Sequence, residues 1–142
     1  MKQLFGIATC LIGMMCFAGE GIAIVKSVEG QVNVKRDNTT FTITPKEQIQ
    51  KNDILMTGEK SGIGLIFHDG SVLYLGQNSN LRVDEFTFKP LDKEFKFNLS
   101  MDKGSALFES GKIGTLAPDS FQFKIPEGTV GIRGTKFIVE VQ

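Results

Sequence analysis

From Ile22 onward the chain alternates apolar and polar residues with a period of two. Val32 and Val34 are set among Gln31, Asn33 and Lys35, and Phe41 and Ile43 among Thr40, Thr42 and Thr44. The same alternation recurs at Phe86 and Phe88, at Phe95 and Phe97, and at Phe121, Phe123 and Ile125. Such spacing puts apolar side chains on one face of an extended chain and polar ones on the other, which is the signature of half-buried strands. Turn-forming clusters separate these runs: Asp37-Asn38, Lys51-Asn52-Asp53, Asp69-Gly70, Gln77-Asn78, Pro90, Asp102-Lys103-Gly104, Pro118-Asp119 and Pro126-Glu127-Gly128. No amphipathic helix emerges. The pattern predicts an all-β single domain of short strands in two packed sheets, either a sandwich or a short solenoid-like roll.

Two hairpins stand out. In Ile63 to Leu75 both faces are apolar, which predicts a central hairpin covered on two sides. Its turn, Asp69-Gly70, supplies a positive φ. Gly70→Val is therefore expected to strain it, and Asp69→Asn to be nearly silent. The second hairpin carries Phe86, Phe88, Phe95 and Phe97 around Lys89-Pro90-Leu91-Asp92-Lys93. Its four rings form one apolar face, read first as core and alternatively as an interaction surface at the sheet edge. A weak echo links Gly30-Gln31-Val32 with Gly104-Ser105-Ala106-Leu107, each a glycine opening a strand after a charged turn.

The first residues read differently. Met1-Lys2-Gln3 is a positive start, Leu4 to Phe17 carries no charge, and Cys16-Phe17-Ala18 has small residues at the −3 and −1 positions of a cleavage site. Residues 1–18 are thus expected to be a secretory signal peptide and 19–142 the mature domain, with an uncleaved membrane anchor as the alternative. The uncharged run is short for a spanning helix. Cys10 and Cys16, the only cysteines, fall inside this segment. The mature domain then has no disulfide and relies on burial.

Composition narrows the chemistry. Sixteen basic residues balance sixteen acidic ones, which argues against a nucleic-acid binder built on a basic stripe. His68 is the one histidine, so a two-histidine metal site and most Ser-His or Cys-His nucleophile schemes are excluded. His68-Asp69 lacks the further ligands a metal-dependent phosphohydrolase requires. Gly111-Lys112-Ile113-Gly114-Thr115 and Gly131-Ile132-Arg133-Gly134-Thr135 lack the spacing and following helix of a phosphate loop. The acid pairs, Asp84 with Glu85 and Asp92 with Glu94 among them, fall in turns or on polar strand faces. No cofactor, metal or catalytic residue is expected.

The order of motifs carries a resemblance. Val28-Glu29-Gly30-Gln31-Val32 is followed by Lys51-Asn52-Asp53-Ile54-Leu55-Met56-Thr57-Gly58, then by Leu65-Ile66-Phe67-His68-Asp69-Gly70-Ser71. Leu73-Tyr74-Leu75, Ser79-Asn80-Leu81 and Gly104-Ser105-Ala106-Leu107 come next. Last is Thr129-Val130-Gly131-Ile132-Arg133-Gly134-Thr135-Lys136-Phe137. This set, from about Ile24 to Val141, resembles the FecR domain family, named after the periplasmic module of the ferric citrate signalling regulator. Asn52 stands where the family usually has glycine. The regulators carry a cytoplasmic anti-sigma segment and a transmembrane helix before this domain and a further domain after it; here only an export signal is expected beside the domain. The resemblance therefore implies a stand-alone exported FecR domain, without carrying over the sigma-factor circuit.

The expected function is a non-enzymatic periplasmic or secreted protein-interaction or envelope-signalling module, its partner another envelope protein engaged by strand addition at a sheet edge. The alternative is an envelope glycan or peptidoglycan binder, and a carboxylate-based hydrolase is a third reading. The motif residues expected to matter structurally are Asp53, Gly58, Asp69, Gly70, Gly131, Arg133, Gly134 and Thr135. Arg133, set between two glycines, is read as a pin holding the final strand, with Asp53 or Asp69 as its partner. The competing reading is a charge presented to an anionic ligand.

Overall fold

The computed structural model describes residues 21–132 and 136–142. The expected signal peptide lies outside the described residues, as do Arg133, Gly134 and Thr135.

Twelve strands form in the described residues: β1 (Ala23–Glu29), β2 (Val32–Arg36), β3 (Thr39–Thr42), β4 (Gln48–Ile49), β5 (Ile54–Thr57), β6 (Gly62–Phe67), β7 (Val72–Leu75), β8 (Asn80–Lys89), β9 (Glu94–Glu109), β10 (Phe121–Ile125), β11 (Gly128–Val130) and β12 (Lys136–Val141). Among the described residues helical structure is limited to one turn at Ile113–Leu116 and two short 3-10 turns. The all-β expectation holds.

The expectation of two packed sheets does not. The strands form one hydrogen-bonded sheet in the order β3-β2-β5-β8-β9-β7-β6-β1-β4, with β12, and β10 followed by β11, also attached to β9. This sheet curls into a half-barrel. The reason is β9, which runs for 16 residues. Its first part pairs with β8 and, in parallel over Phe97–Ser100, with β10. Its last part pairs with β7 and β12. Sequence alternation divides this stretch at Asp102-Lys103-Gly104, but the chain bends there with Gly104 at φ 107° and keeps its ladder. One strand thus belongs to both halves.

Curling turns the inner faces toward each other. Phe67 on β6 reaches Phe86 on β8, with ring centroids 5.5 Å apart. Phe97 lies at the centre, 4.6 Å from Phe67, 4.9 Å from Phe86, 5.5 Å from Phe108 and 5.2 Å from Phe121. Around these rings pack Val32, Val34, Leu55, Leu65, Leu73, Leu81 and Leu99, all fully buried. The period-two alternation creates this layer because each strand contributes every second residue to it.

The β6–β7 hairpin departs from its sequence reading on one face. Ile63, Leu65, Phe67, Leu73 and Leu75 point into the core. Ile66 is 39% exposed and Val72 and Tyr74 are half-buried on the outer face, where Lys26 Nζ lies over the Tyr74 ring, 5.5 Å from its centroid.

The hairpin turn also differs in kind. Gly70 N–H donates to Phe67 O (2.9 Å), Phe67 N–H donates to Ser71 O (2.8 Å), and Gly70 alone in the turn has positive φ, 88°. This is a three-residue loop closed by a glycine bulge. It leaves the Asp69 side chain free to turn inward, where it is buried. Its carboxylate accepts from Ser71 N–H (2.9 Å), Ser71 Oγ (2.7 Å) and Ile113 N–H (3.2 Å), while its carbonyl accepts from Lys112 N–H (2.8 Å). The turn thereby anchors the chain leaving β9. Gly111 is required in this junction because a Cβ there would collide with the backbone of Asp69, Gly70 and Ser71.

Asp69→Asn is consequently not silent. One carboxylate oxygen becomes an NH2 group, and a donor then faces either Ser71 N–H or Ile113 N–H. A loss of about 1–3 kcal/mol is expected, the cost of an unsatisfied buried group. Urea melts of the two proteins measure it, and a difference below about 0.5 kcal/mol would refute the anchoring role.

Candidate interaction surface

The sequence-derived motif residues separate into corners and faces. Asp53, fully buried at the start of β5, accepts from Arg36 Nε (2.9 Å) and Nη2 (2.7 Å) and from Gln50 N–H (2.8 Å). This paired fork holds the arginine pKa above its ordinary value. Arg36 also donates to Gln48 O and lies 5.1 Å over the Phe41 ring. The partners Asp53 and Asp69 find are therefore Arg36 and the Ser71–Ile113 backbone. The pin expected of Arg133 lies outside the described residues, with Gly134 and Thr135.

Gly58 joins two turns: its N–H donates to Gln31 O (3.1 Å) and its carbonyl accepts from Asn78 N–H (3.0 Å). A Cβ there would make only ordinary contacts, and a Cβ on Gly131 would meet nothing among the described residues. The echo between Gly30 and Gly104 has a structural counterpart. Each has positive φ and lies tight against a buried serine, Ser61 or Ser79, whose Oγ accepts from the next N–H, that of Gln31 (2.8 Å) or Ser105 (3.1 Å).

The four phenylalanines of the second hairpin do not share one environment. Phe97 is wholly buried. Phe86 is half-buried and packs on Phe67 and Phe97. Phe88 and Phe95 pair at 5.8 Å near the hairpin end, both half-buried. Below them a hollow of about 490 Å³ is lined by Gln50, Lys51, His68 and Phe86 to Lys89. Among the described residues its lining contains no carboxylate. Among the described residues no three acidic, histidine or cysteine side chains come together as a metal site would need. Asp84 bonds Arg82 and Ser100, and Glu85 lies 3.4 Å from Lys51.

Leu91 and Leu116 are exposed singly in connecting segments, whereas Ile24, Ile66 and Ile138 are exposed together on the outer face of β1, β6, β7, β9 and β12. Strand register aligns Ile24 with Ile66 and Ile66 with Val72 in one row. The neighbouring row aligns Gly64 with Tyr74, Tyr74 with Leu107, and Leu107 with Ile138. Ile24 is 44% and Ile138 70% exposed. Gly64 has a local reason: a Cβ would come within 2.9 Å of the Tyr74 ring, which lies across it. Tyr74 is fixed further by Lys26, whose Nζ donates to its hydroxyl (3.0 Å), and this bond raises the lysine pKa. Between Tyr74, Leu107 and Ile138 the surface is hollowed by about 250 Å³.

This face ends at an open edge. β12 pairs with β9 and with no other described strand. Phe137, Val139 and Val141 turn toward the core, and Lys136, Ile138 and Glu140 turn outward. The other outermost strands, β3, β4 and β11, have four, two and three residues against six in β12. The sequence predicted a final strand beyond Arg133 but did not single out this face. Its available signal was apolar residues on both sides of β6, β7 and β12.

Among the described residues no helix is long and apolar enough to cross a membrane. Compared with known families, the chain matches the model described as FecR protein over residues 53–142, from the buried Asp53 to the end of the sequence. The Val28 to Val32 segment of the resemblance lies before that span. No curated protein and no solved structure matches the chain.

Proposed function

The chain belongs to the FecR family, and from that premise we propose that it acts as a non-catalytic protein-interaction module of the bacterial envelope, in the periplasm or outside the cell. Fold membership does not name an activity, so the reading rests on the surface. The observation that carries it is the exposed apolar outer face, where Ile24 and Ile66 stand in one row and Tyr74, Leu107 and Ile138 in the next. Contiguous apolar surface of this kind favours a macromolecular partner. Its side chains are aliphatic apart from Tyr74, which supports a protein over a glycan, since sugar platforms use exposed aromatic rings. Export after cleavage behind Ala18 belongs to the same proposal.

A photo-crosslinking residue placed at Ile24 in the full chain, in cells that produce it, tests the reading. Adducts with envelope proteins are expected in excess over the same probe at Lys96, which is exposed on another part of the sheet. The mass of the adduct also reports whether residues 1–18 have been removed. Adducts with glycan alone, or a pattern equal to the Lys96 control, would overturn the proposal.

A further inference from the structure

We infer that two copies of this chain join edge to edge through β12, antiparallel, with Ile138 of each copy opposite Ile138 of the other. The inference rests on the protein-interaction reading above and names one occupant of that surface.

An open strand edge is a template for another strand unless it is short, bulged, proline-containing or blocked by charge. β12 is the longest open edge among the described strands, pairs without a bulge along all six residues, and contains no proline. Its charges do not block a second copy; they select a register. Antiparallel partners must keep inward residues opposite inward ones, so a two-fold axis must pass through a residue rather than between two. Centred on Lys136 or on Glu140, the pairing sets like charges against each other. Centred on Phe137 it sets Lys136 opposite an isoleucine, and centred on Val139 it does the same to Glu140. Centred on Ile138, it sets Lys136 opposite Glu140 of the second copy and Glu140 opposite Lys136 of the second copy. That is the one register in which both charges are satisfied by a symmetric partner.

The neighbouring rows agree. Within the chain Lys136 already faces Glu109 and Ile138 faces Leu107. The proposed pairing extends them to Glu109, Lys136 and Glu140 of the second copy in one row. In the other, Tyr74, Leu107 and Ile138 meet the same three residues in reverse order. On the inner side Phe137 comes opposite Val139, so the core layer also continues across the axis.

Sedimentation of the full chain across a concentration series tests this, and dimers are expected. Lys136→Glu alone sets two pairs of acids opposite each other, and Glu140→Lys alone sets two pairs of lysines. Each is expected to weaken self-association about tenfold, the scale of two reversed cross-strand pairs. An equimolar mixture of the two variants restores both opposite-charge pairs and is expected to form the heterodimer. Both positions are exposed, so equal thermal melts exclude misfolding as the cause. Ile138→Cys is expected to give an interchain disulfide under mild oxidation, because facing Cβ atoms are about 4.5–5.5 Å apart; Leu91→Cys, at a fully exposed turn position, is not. A chain that stays monomeric throughout overturns the inference, as does a dimer indifferent to both charge variants. Ile24 crosslinks to envelope proteins would survive either result, so failure here is distinguishable from failure of the interaction reading.

Discussion

Truncating Phe97 to alanine is expected to cost about 3–5 kcal/mol, the range for removing a fully buried aromatic side chain. Its ring touches Phe67, Phe86, Phe108 and Phe121, which come from β6, β8, the far end of β9 and β10. Neighbours fixed on four separate strand segments cannot all move in to fill the space, so the cavity term is expected in full. A loss of this size is a large share of the stability of a domain of this length. Phe88→Ala is the comparison. Phe88 is half-buried and its one close ring is Phe95, so a loss of about 1 kcal/mol is expected. Urea melts of both variants measure the contrast. Equal losses would show that the hairpin rings share one environment after all.

Gly104→Ala is expected to cost a similar amount for a different reason. At φ 107° a side chain is strained, by about 1–3 kcal/mol. The new Cβ would also collide with Cα and Cβ of Ser79, the residue whose Oγ accepts from Ser105 N–H. Backbone cannot step aside as a flexible side chain can, which adds about 1–3 kcal/mol of overpacking. Gly70→Ala isolates the first contribution, because Gly70 has φ 88° with open space around it. Thermal or urea melts should place Gly104→Ala well below Gly70→Ala. If the two coincide, close packing at the bend of β9 contributes nothing.

These two positions also mark where sequence reading succeeded and where it stopped. Alternation located Phe97 and the strands around it, since period two depends only on neighbours along the chain. It also assigned the all-β class. It broke β9 at Gly104 because Asp-Lys-Gly is turn chemistry, and the ladders to β8 and to β12, the latter about 35 residues later, keep that segment extended. The single curled sheet follows from that unbroken strand, so the two-sheet expectation failed with it. Asp69 was placed in a turn, correctly, but its buried carboxylate depends on Ile113, 44 residues away. Arg36 and Asp53 lie 17 residues apart with no periodic relation that would have joined them. The candidate surface was half legible. The apolar residues at Ile66, Val72 and Tyr74 were noticed, but the assumption that apolar means covered concealed their exposure.

The dual membership of β9 has a consequence for the order in which the chain assembles. Before residues 94–109 are available, β7 has only β6 beside it and β8 has only β5. Two four-stranded fragments, β3-β2-β5-β8 and β7-β6-β1-β4, with no strand between them expose the faces that later become core. Closure waits for a segment encoded in the last third of the chain; its pairing with β8 is a local hairpin, but its pairings with β7 and β12 are distant in sequence, which slows folding. If the chain is exported unfolded, in line with the export proposed above, that delay keeps the emerging chain open until most of it has been made.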